Sequence, residues 1–310
     1  MKKAVIAALL LVLAGAGIGW GLSAPTRMSA EEAAALTEGD AARGEPVFWA
    51  GGCASCHAAK EADGEDLLKL GGGLRLETPF GVFVAPNISP SETDGIGAWS
   101  LVDFANAMTH GTSPGGENLY PAFPYTSYAR MSAADLGDLF AFLKSLPVVE
   151  GKAAAHELGF PFNIRRGLGL WKRLFLDPAP VIAEPLNGAG VDRAVWERGR
   201  YLVEGPGHCG ECHTPRDFAG GLVLADWLGG APAPTGEGKI PNITPVEGGF
   251  GSWSAADIAY YLESGFTPEY DSVGGEMVHV QENMARLPAS DREAIAVYLK
   301  AIPPISAGSD

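Results

Sequence analysis

The sequence predicts a mainly helical protein made of two tandem, similar domains joined by a proline-rich connector and preceded by an apolar helix. Three observations carry this reading. Pro86-Asn87-Ile88-Ser89-Pro90 returns 155 residues later as Pro241-Asn242-Ile243-Thr244-Pro245, the mark of an internal repeat. Stretches within each copy place apolar residues at three- and four-residue spacing and end at proline. A chain of 310 residues, 46% apolar with 42 Gly and 23 Pro, suits two turn-rich domains of roughly 100–150 residues better than one bundle of long helices. The segments drawn are 1–27 for the apolar helix, 28–147 for the first domain, 148–190 for the connector and 191–310 for the second domain.

The first segment sets the compartment. Lys2 and Lys3 precede a 19-residue apolar run, Ala4 to Leu22, which is an export signal or a spanning helix. A cleaved signal carries an apolar run of about 7–15 residues, whereas a span needs about 20. Cleavage after Ala24 would also set Leu22 where a small residue is wanted. A retained anchor is therefore expected, with a cleaved signal as the alternative. The lysines would stay in the cytoplasm and everything after about Ser23 outside, with Trp20 at the outer interface.

Within each domain the elements follow in one order. Short helices are expected around Arg43 to Trp49 and Arg198 to Val203, with Gly44 and Gly199 where a bulky residue could press close. Gly97-Ala98-Trp99-Ser100 is matched by Gly251-Ser252-Trp253-Ser254, and each Ser is followed three residues on by Asp103 or Asp257, a capping-box-like helix start. The closing helices run from Asp135 to Pro147 and from Asp291 to Pro303, offering Phe142 and Tyr298 as partners for the two glycines. In the connector, Arg165, Arg166, Lys172 and Arg173 crowd among Leu168, Leu170, Trp171, Leu174 and Phe175. The simplest reading is a strap with its apolar side on a domain and its charges solvated; propionate pairing or a partner-facing edge are the alternatives.

Charge limits the partners. With 22 basic and 37 acidic side chains, net −15, the overall field repels nucleic acid and anionic lipid and steers a partner with a basic docking face.

The chemistry lies in the cysteines. All four fall in Cys53-Ala54-Ser55-Cys56-His57 and Cys209-Gly210-Glu211-Cys212-His213, two copies of C-x-x-C-H. In this motif two thiols form thioethers with the vinyl groups of one haem, and the adjacent His ligates the iron. Two covalently attached c haems are therefore expected, with His57 and His213 as fifth iron ligands. The alternatives are a zinc site of four thiolates, which would leave both trailing histidines unexplained, and a thioredoxin-like pair; two full motifs 156 residues apart with no spare Cys favour haem over both.

The order of short helix, C-x-x-C-H, Pro-bearing loop, Met-bearing loop and aromatic closing helix resembles class I cytochrome c domains. Further segments, among them Leu119-Tyr120-Pro121-Ala122-Phe123-Pro124-Tyr125, Phe160-Pro161-Phe162-Asn163 and Gly207-His208-Cys209, resemble the cytochrome c subunits of bacterial membrane-bound alcohol, gluconate and aldehyde dehydrogenases. The resemblance implies two tandem class I cytochrome c-like domains that carry electrons from a periplasmic or membrane-bound dehydrogenase to a quinone, another cytochrome or a terminal oxidase. Many members of that family have three haems and a C-terminal anchor. This sequence has two motifs and an N-terminal apolar segment.

A thioether as sixth ligand stabilises ferrous iron and raises the potential. In the second domain Met277, in a Gly274-Gly275-Glu276-Met277 context that resembles the family's ligand loop, is preferred over Met284. In the first, Met131, just before the closing helix, is preferred over Met108, which lies inside a helix. His110 and His279 stay open as ligands; His208 is too close to Cys209 to reach the far face of the same haem. Asn87 and Asn242 read as turn formers, and Trp99 and Trp253 as packing residues that could also bond a propionate. A two-haem peroxidase, with one open iron site, is the alternative function.

Overall fold

A computed structural model describes residues 1–186, 190–233 and 238–306. The protein is mainly helical, and one series of helices occurs twice. The N-terminal apolar helix α1 (Lys2–Leu22) leads through α2 (Ala30–Ala35) to the first series: α3 (Ala41–Ala50), α4 (Cys53–His57), α5 (Leu101–His110), α6 (Tyr125–Tyr128) and α7 (Ala133–Ser145). The connector carries α8 (Leu168–Phe175). The second series is α9 (Arg193–Glu204), α10 (Gly210–His213), α11 (Ala255–Ser264), α12 (Met277–Met284) and α13 (Ala289–Lys300).

Local chemistry sets the helix ends. Ser100 and Ser254 both form the full capping box, each side chain accepting from the N–H of Asp103 or Asp257 while that carboxylate accepts in return. Both helices stop at a left-handed glycine, Gly111 and Gly265, a conformation glycine adopts without a side-chain clash.

The first and last helices of each series cross at a glycine. A Cβ on Gly44 would lie 2.0 Å from the carbonyl oxygen of Asp138 and 2.8 Å from the Cβ of Phe142; one on Gly199 would lie 1.9 Å from the oxygen of Ala294 and 2.9 Å from the Cβ of Tyr298. The backbones touch, so the expected pairing of Gly44 with Phe142 and Gly199 with Tyr298 is present, and the carbonyl one turn earlier approaches closer still. Each crossing is clamped by an ion pair of the same type, Arg43–Asp138 at 2.8 Å and Arg198–Asp291 at 2.7 Å.

Strands are few. An antiparallel hairpin, β1 (Arg75–Thr78) and β2 (Gly81–Val84), follows the first C-x-x-C-H motif, and β3 (Glu157–Leu158) from the connector joins its edge. In the second half, β4 (Ala231–Pro232) pairs with β5 (Lys239–Ile240). One apolar core includes residues of both series, among them Phe48, Phe142, Met131, Trp196, Met284 and Tyr298.

Candidate functional site

Each C-x-x-C-H motif folds as a single helical turn directly after the first helix of its series, and a left-handed residue turns the chain into it, Gly52 at φ 56° and His208 at φ 37°. The His that ends each turn is aimed the same way. Nδ1 of His57 lies 2.8 Å from the carbonyl oxygen of Pro86, and Nδ1 of His213 lies 2.8 Å from that of Pro241. A carbonyl can only accept, so Nδ1 carries the proton and Nε2 keeps its lone pair for a metal. Burial lowers both imidazole pKa values, which keeps that lone pair open at neutral pH.

The loops that supply these carbonyls are held by the asparagines. Asn87 accepts from the N–H of Ser89 and donates to the carbonyls of Val149 and Gly151; Asn242 accepts from Thr244 and donates to Ile305. Both are turn formers, and each also ties the His-orienting loop to the chain just past the closing helix.

The thiols suit thioether formation. Burial pushes Cys53 and Cys209 up to about 12 and raises Cys56 and Cys212, the opposite of the lowered pKa that marks a reactive redox pair. Among the described residues no group of three or more His, Cys, Asp or Glu side chains is placed to hold a metal ion. Two thiols and one properly tautomerised imidazole per motif fit a c haem.

The candidate sixth ligands sit differently. Met131 is 7% exposed, in the turn between α6 and α7. Met277 is half-buried and opens α12 rather than standing in a loop. Met108 and Met284 are buried within or at the end of helices. Of the other histidines, His110 hydrogen-bonds to Thr109, His156 accepts from the N–H of Val84, and His279 is exposed beside Glu282. Trp99 and Trp253 pack against the core.

The two motifs meet across a junction that sequence reading missed. The neighbouring Cys212 and Glu276 help to raise Cys56, and Glu276 acts likewise on Cys212. Around them the contacts are reciprocal. Asn283 in α12 donates to the hydroxyl of Ser55 at 2.8 Å, while Ser127 and Thr126 in α6 donate to the carboxylate of Glu211 at 3.0 and 2.8 Å. Ser55 and Glu211 hold the same place in their motifs, and Ser127 and Asn283 the same place before their closing helices. At the centre, Nε2 of His208 lies 3.2 Å from the carbonyl of Gly51, the Tyr128 hydroxyl donates to the same oxygen, and the two rings meet edge to face. Each series thus lays its Met-bearing segment against the other's haem motif. Counting the repeat forward from Ser55 and Ser127 would have paired these positions, though not shown that they touch.

The connector corrects the solvated-strap reading. Lys172 is buried and donates to the carbonyls of His110 and Gly111 and to the Thr112 hydroxyl. Arg166 and Arg173 reach the carbonyls of Trp20 and Leu22 at the end of α1.

Comparison with known proteins agrees with this site. Residues 41–147 match the cytochrome c family. The chain is 52% identical over 305 residues to a diheme cytochrome c-type protein of Cereibacter sphaeroides, covering 98% of this chain and all of that one. It is 35% identical over 295 residues to the fructose dehydrogenase cytochrome subunit of Gluconobacter japonicus, covering 94% of this chain and 57% of the subunit. It is also 35% identical over 271 residues to the cytochrome c subunit of a quinone alcohol dehydrogenase of Gluconacetobacter polyoxogenes, covering 85% and 56%. The chain spans a little over half of those two subunits, and the peroxidase alternative gains no support from these relatives. Sequence, motif geometry and a full-length relative thus converge: the chain belongs to the dihaem c-type cytochromes, carries two covalently bound c haems, and serves in electron transfer.

Proposed function

We propose that the chain relays electrons from a partner dehydrogenase to a quinone, a cytochrome or a terminal oxidase on the periplasmic side of the bacterial inner membrane, with α1 as its anchor. The haems supply the one-electron chemistry; the chain fixes where they stand. His57 and His213 would be the fifth ligands and Met131 and Met277 the sixth, in domains spanning 28–147 and 191–310 around the connector 148–190.

The single observation that carries this reading is the reciprocal contact of Ser55 with Asn283 and of Glu211 with Ser127, which sets the turns bearing Cys56 and Cys212 against the opposite series. Thioether bonds to these two cysteines would place an edge of each haem at the junction, and the reciprocal contacts of Ser55, Ser127, Glu211 and Asn283 would hold that spacing. A relay needs such a fixed, short gap; a pair of independent sites does not.

Rapid mixing of the oxidised protein with one reducing equivalent per chain tests the relay. The electron should redistribute between the haems at a rate independent of protein concentration. A rate proportional to concentration would mean that the haems exchange electrons only between molecules, and the relay reading falls. Proteins that co-purify from detergent-solubilised membranes would identify the dehydrogenase, and intact mass of the mature chain would decide between an anchor and an N-terminus near Pro25.

A further inference from the structure

The neighbourhood of the α1 exit has a surface that electron transfer does not use. Phe160, Phe162 and Ile164 are 81%, 45% and 51% exposed, Leu170 and Leu174 on α8 are 42% and 78%, and Phe218 is 98%. These belong to one region. Trp171 of α8 donates to the carbonyl of Ala219, the ring of Phe175 lies against Gly221, and Phe80 bridges Phe162 to Gly220. Apolar side chains bared together on this scale mark a surface with a use.

The same region is basic within an acidic protein. Arg166 stacks over Trp20 at 4.4 Å and donates to the Trp20 carbonyl at 2.7 Å and the Ser23 hydroxyl at 3.1 Å; Arg173 donates to the Leu22 carbonyl at 2.7 Å. A guanidinium has five N–H donors, so among the described residues these bonds leave several for another acceptor. Both arginines also favour the negative end of the α1 dipole.

We propose that this face docks on the membrane into which α1 runs, with Arg166 and Arg173 taking anionic phospholipid headgroups and the exposed Phe and Leu side chains entering the interfacial layer. The proposal rests on the reading of α1 as a retained anchor. A helix that ends at the bilayer surface brings whatever is bonded to its last carbonyls to headgroup level, and here that is the connector. Arginines interleaved with Phe, Leu and Trp are the composition of an interfacial surface. The net charge of −15 disfavours anionic lipid at long range, but beyond about 10 Å such charges are largely screened. At contact the local arginines decide. Docking would add a second attachment and fix the tilt of the haem unit relative to the membrane plane.

The test uses the full-length holoprotein in phosphatidylcholine vesicles with and without phosphatidylglycerol, its four native cysteines already tied up as thioethers. Single cysteines replace Leu174, Phe218, Leu10 in α1, and Tyr260 on α11, a helix that packs on α12 and α13. Each variant is labelled with bimane and challenged with lipids bearing a nitroxide near the headgroup or deep in the chain. Labels at Leu174→Cys and Phe218→Cys should lose fluorescence to the shallow nitroxide, more so with phosphatidylglycerol, and Arg166→Gln with Arg173→Gln should reduce that gain. The label at Leu10→Cys should be quenched by the deep nitroxide and the one at Tyr260→Cys by neither. Quenching at Leu10→Cys without quenching at Leu174→Cys and Phe218→Cys overturns the docking surface and leaves the anchor standing, whereas no quenching at Leu10→Cys overturns the anchor itself. Protection of the Leu174→Cys label only when a dehydrogenase preparation is added would assign the face to a protein and overturn the proposal.

Discussion

The two halves of the molecule agree where they hold haem and differ where they would complete its coordination. Pro86 and Pro241 stand the same 2.8 Å from their histidines, both helix starts carry the same capping box, and both helix crossings turn on a glycine beside an Arg–Asp pair. The distal segments diverge. Met131 is sealed in the turn before α7, whereas Met277 is half-buried at the start of α12, and the residue that repeats Met131 is Leu287. Among the described residues, the counterpart of the hairpin of β1 and β2 is a two-residue ladder. A shared proximal side with two distal designs is how one duplicated fold can hold two haems at different potentials, because axial ligation, polarity and burial set the potential once the porphyrin is attached.

The comparison breaks most readily at the shared crossings. Gly44→Val and Gly199→Val would drive side-chain atoms into the carbonyls of Asp138 and Ala294. Overpacking costs typically 1–3 kcal/mol, and more where backbone cannot move, so each variant should lose soluble, haem-stained protein. The Ala variants should show the same loss more mildly in chemical denaturation. If Gly44→Ala and Gly199→Ala both unfold like the parent, the crossings are not as close as described.

The distal difference gives the next effect. On the proposed ligation, Met131→Ala or Met277→Ala would remove a soft, neutral ligand that prefers ferrous iron. Each variant should lose about half of the weak near-infrared sulfur-to-ferric-iron band, lower the potential of one haem and open it to carbon monoxide, with both haems still attached. Loss of the band through Met108→Ala or Met284→Ala instead would reassign the ligand in that half.

Much of this was legible in the residues, for local reasons. The capping serines, the closing helices and the close pairs at Gly44 and Gly199 follow from periodicity and side-chain size, and the haem motifs from the spacing of Cys53, Cys56 and His57 and their repeat. What escaped depends on contacts between distant segments. The strand β3 pairs Glu157 and Leu158 with Val82 and Gly81, and Glu157 accepts from Arg75 of β1 across β2. The start of α12 at Met277 has no side-chain cap and so left no local signal. The partners of Arg166 and Arg173 include the backbone carbonyls of Trp20 and Leu22, 146 and 151 residues away, and a carbonyl carries no sequence signature. The sequence position of His208 relates it only to its own haem motif, while its contact is with Gly51 of the other half.

That junction gives a smaller effect. Glu211→Ala leaves the hydroxyls of Thr126 and Ser127 without their acceptor, and Asn283→Ala does the reciprocal to Ser55; each lost hydrogen bond is worth about 1 kcal/mol. Both haems should keep their spectra and ligands while the concentration-independent redistribution slows, most in the double variant. Unchanged redistribution in all three would mean that the haem spacing is set elsewhere, for instance by the network in which Tyr298 donates to buried Glu204 and Glu204 accepts from Val181 and Ile182 of the connector.

The least effect, and the one most specific in pH, belongs to Lys172. The residue is 3% exposed and its ammonium is bonded to three neutral oxygens, and burial lowers its pKa to about 8 from an ordinary value of 10.5. Between those two values the unfolded chain holds a proton that the folded chain has released, so stability must rise with pH across that window. Below about pH 8 both states are protonated and the burial penalty is felt in full; above about 10.5 both are neutral and it is gone. Lys172→Met removes the titration and takes one donor from the carbonyls of His110 and Gly111, which still accept from the Thr112 hydroxyl and the Leu119 N–H, so at neutral pH the loss and the relief oppose each other and the net change should be small. The difference between parent and variant should therefore move in the parent's favour as pH is raised from about 8 to 10.5, read from denaturant midpoints at constant salt. A difference that is flat over that range would mean that Lys172 keeps its proton through the hydrogen bonds it makes, and that the connector holds the first half by a buried cation rather than in spite of one.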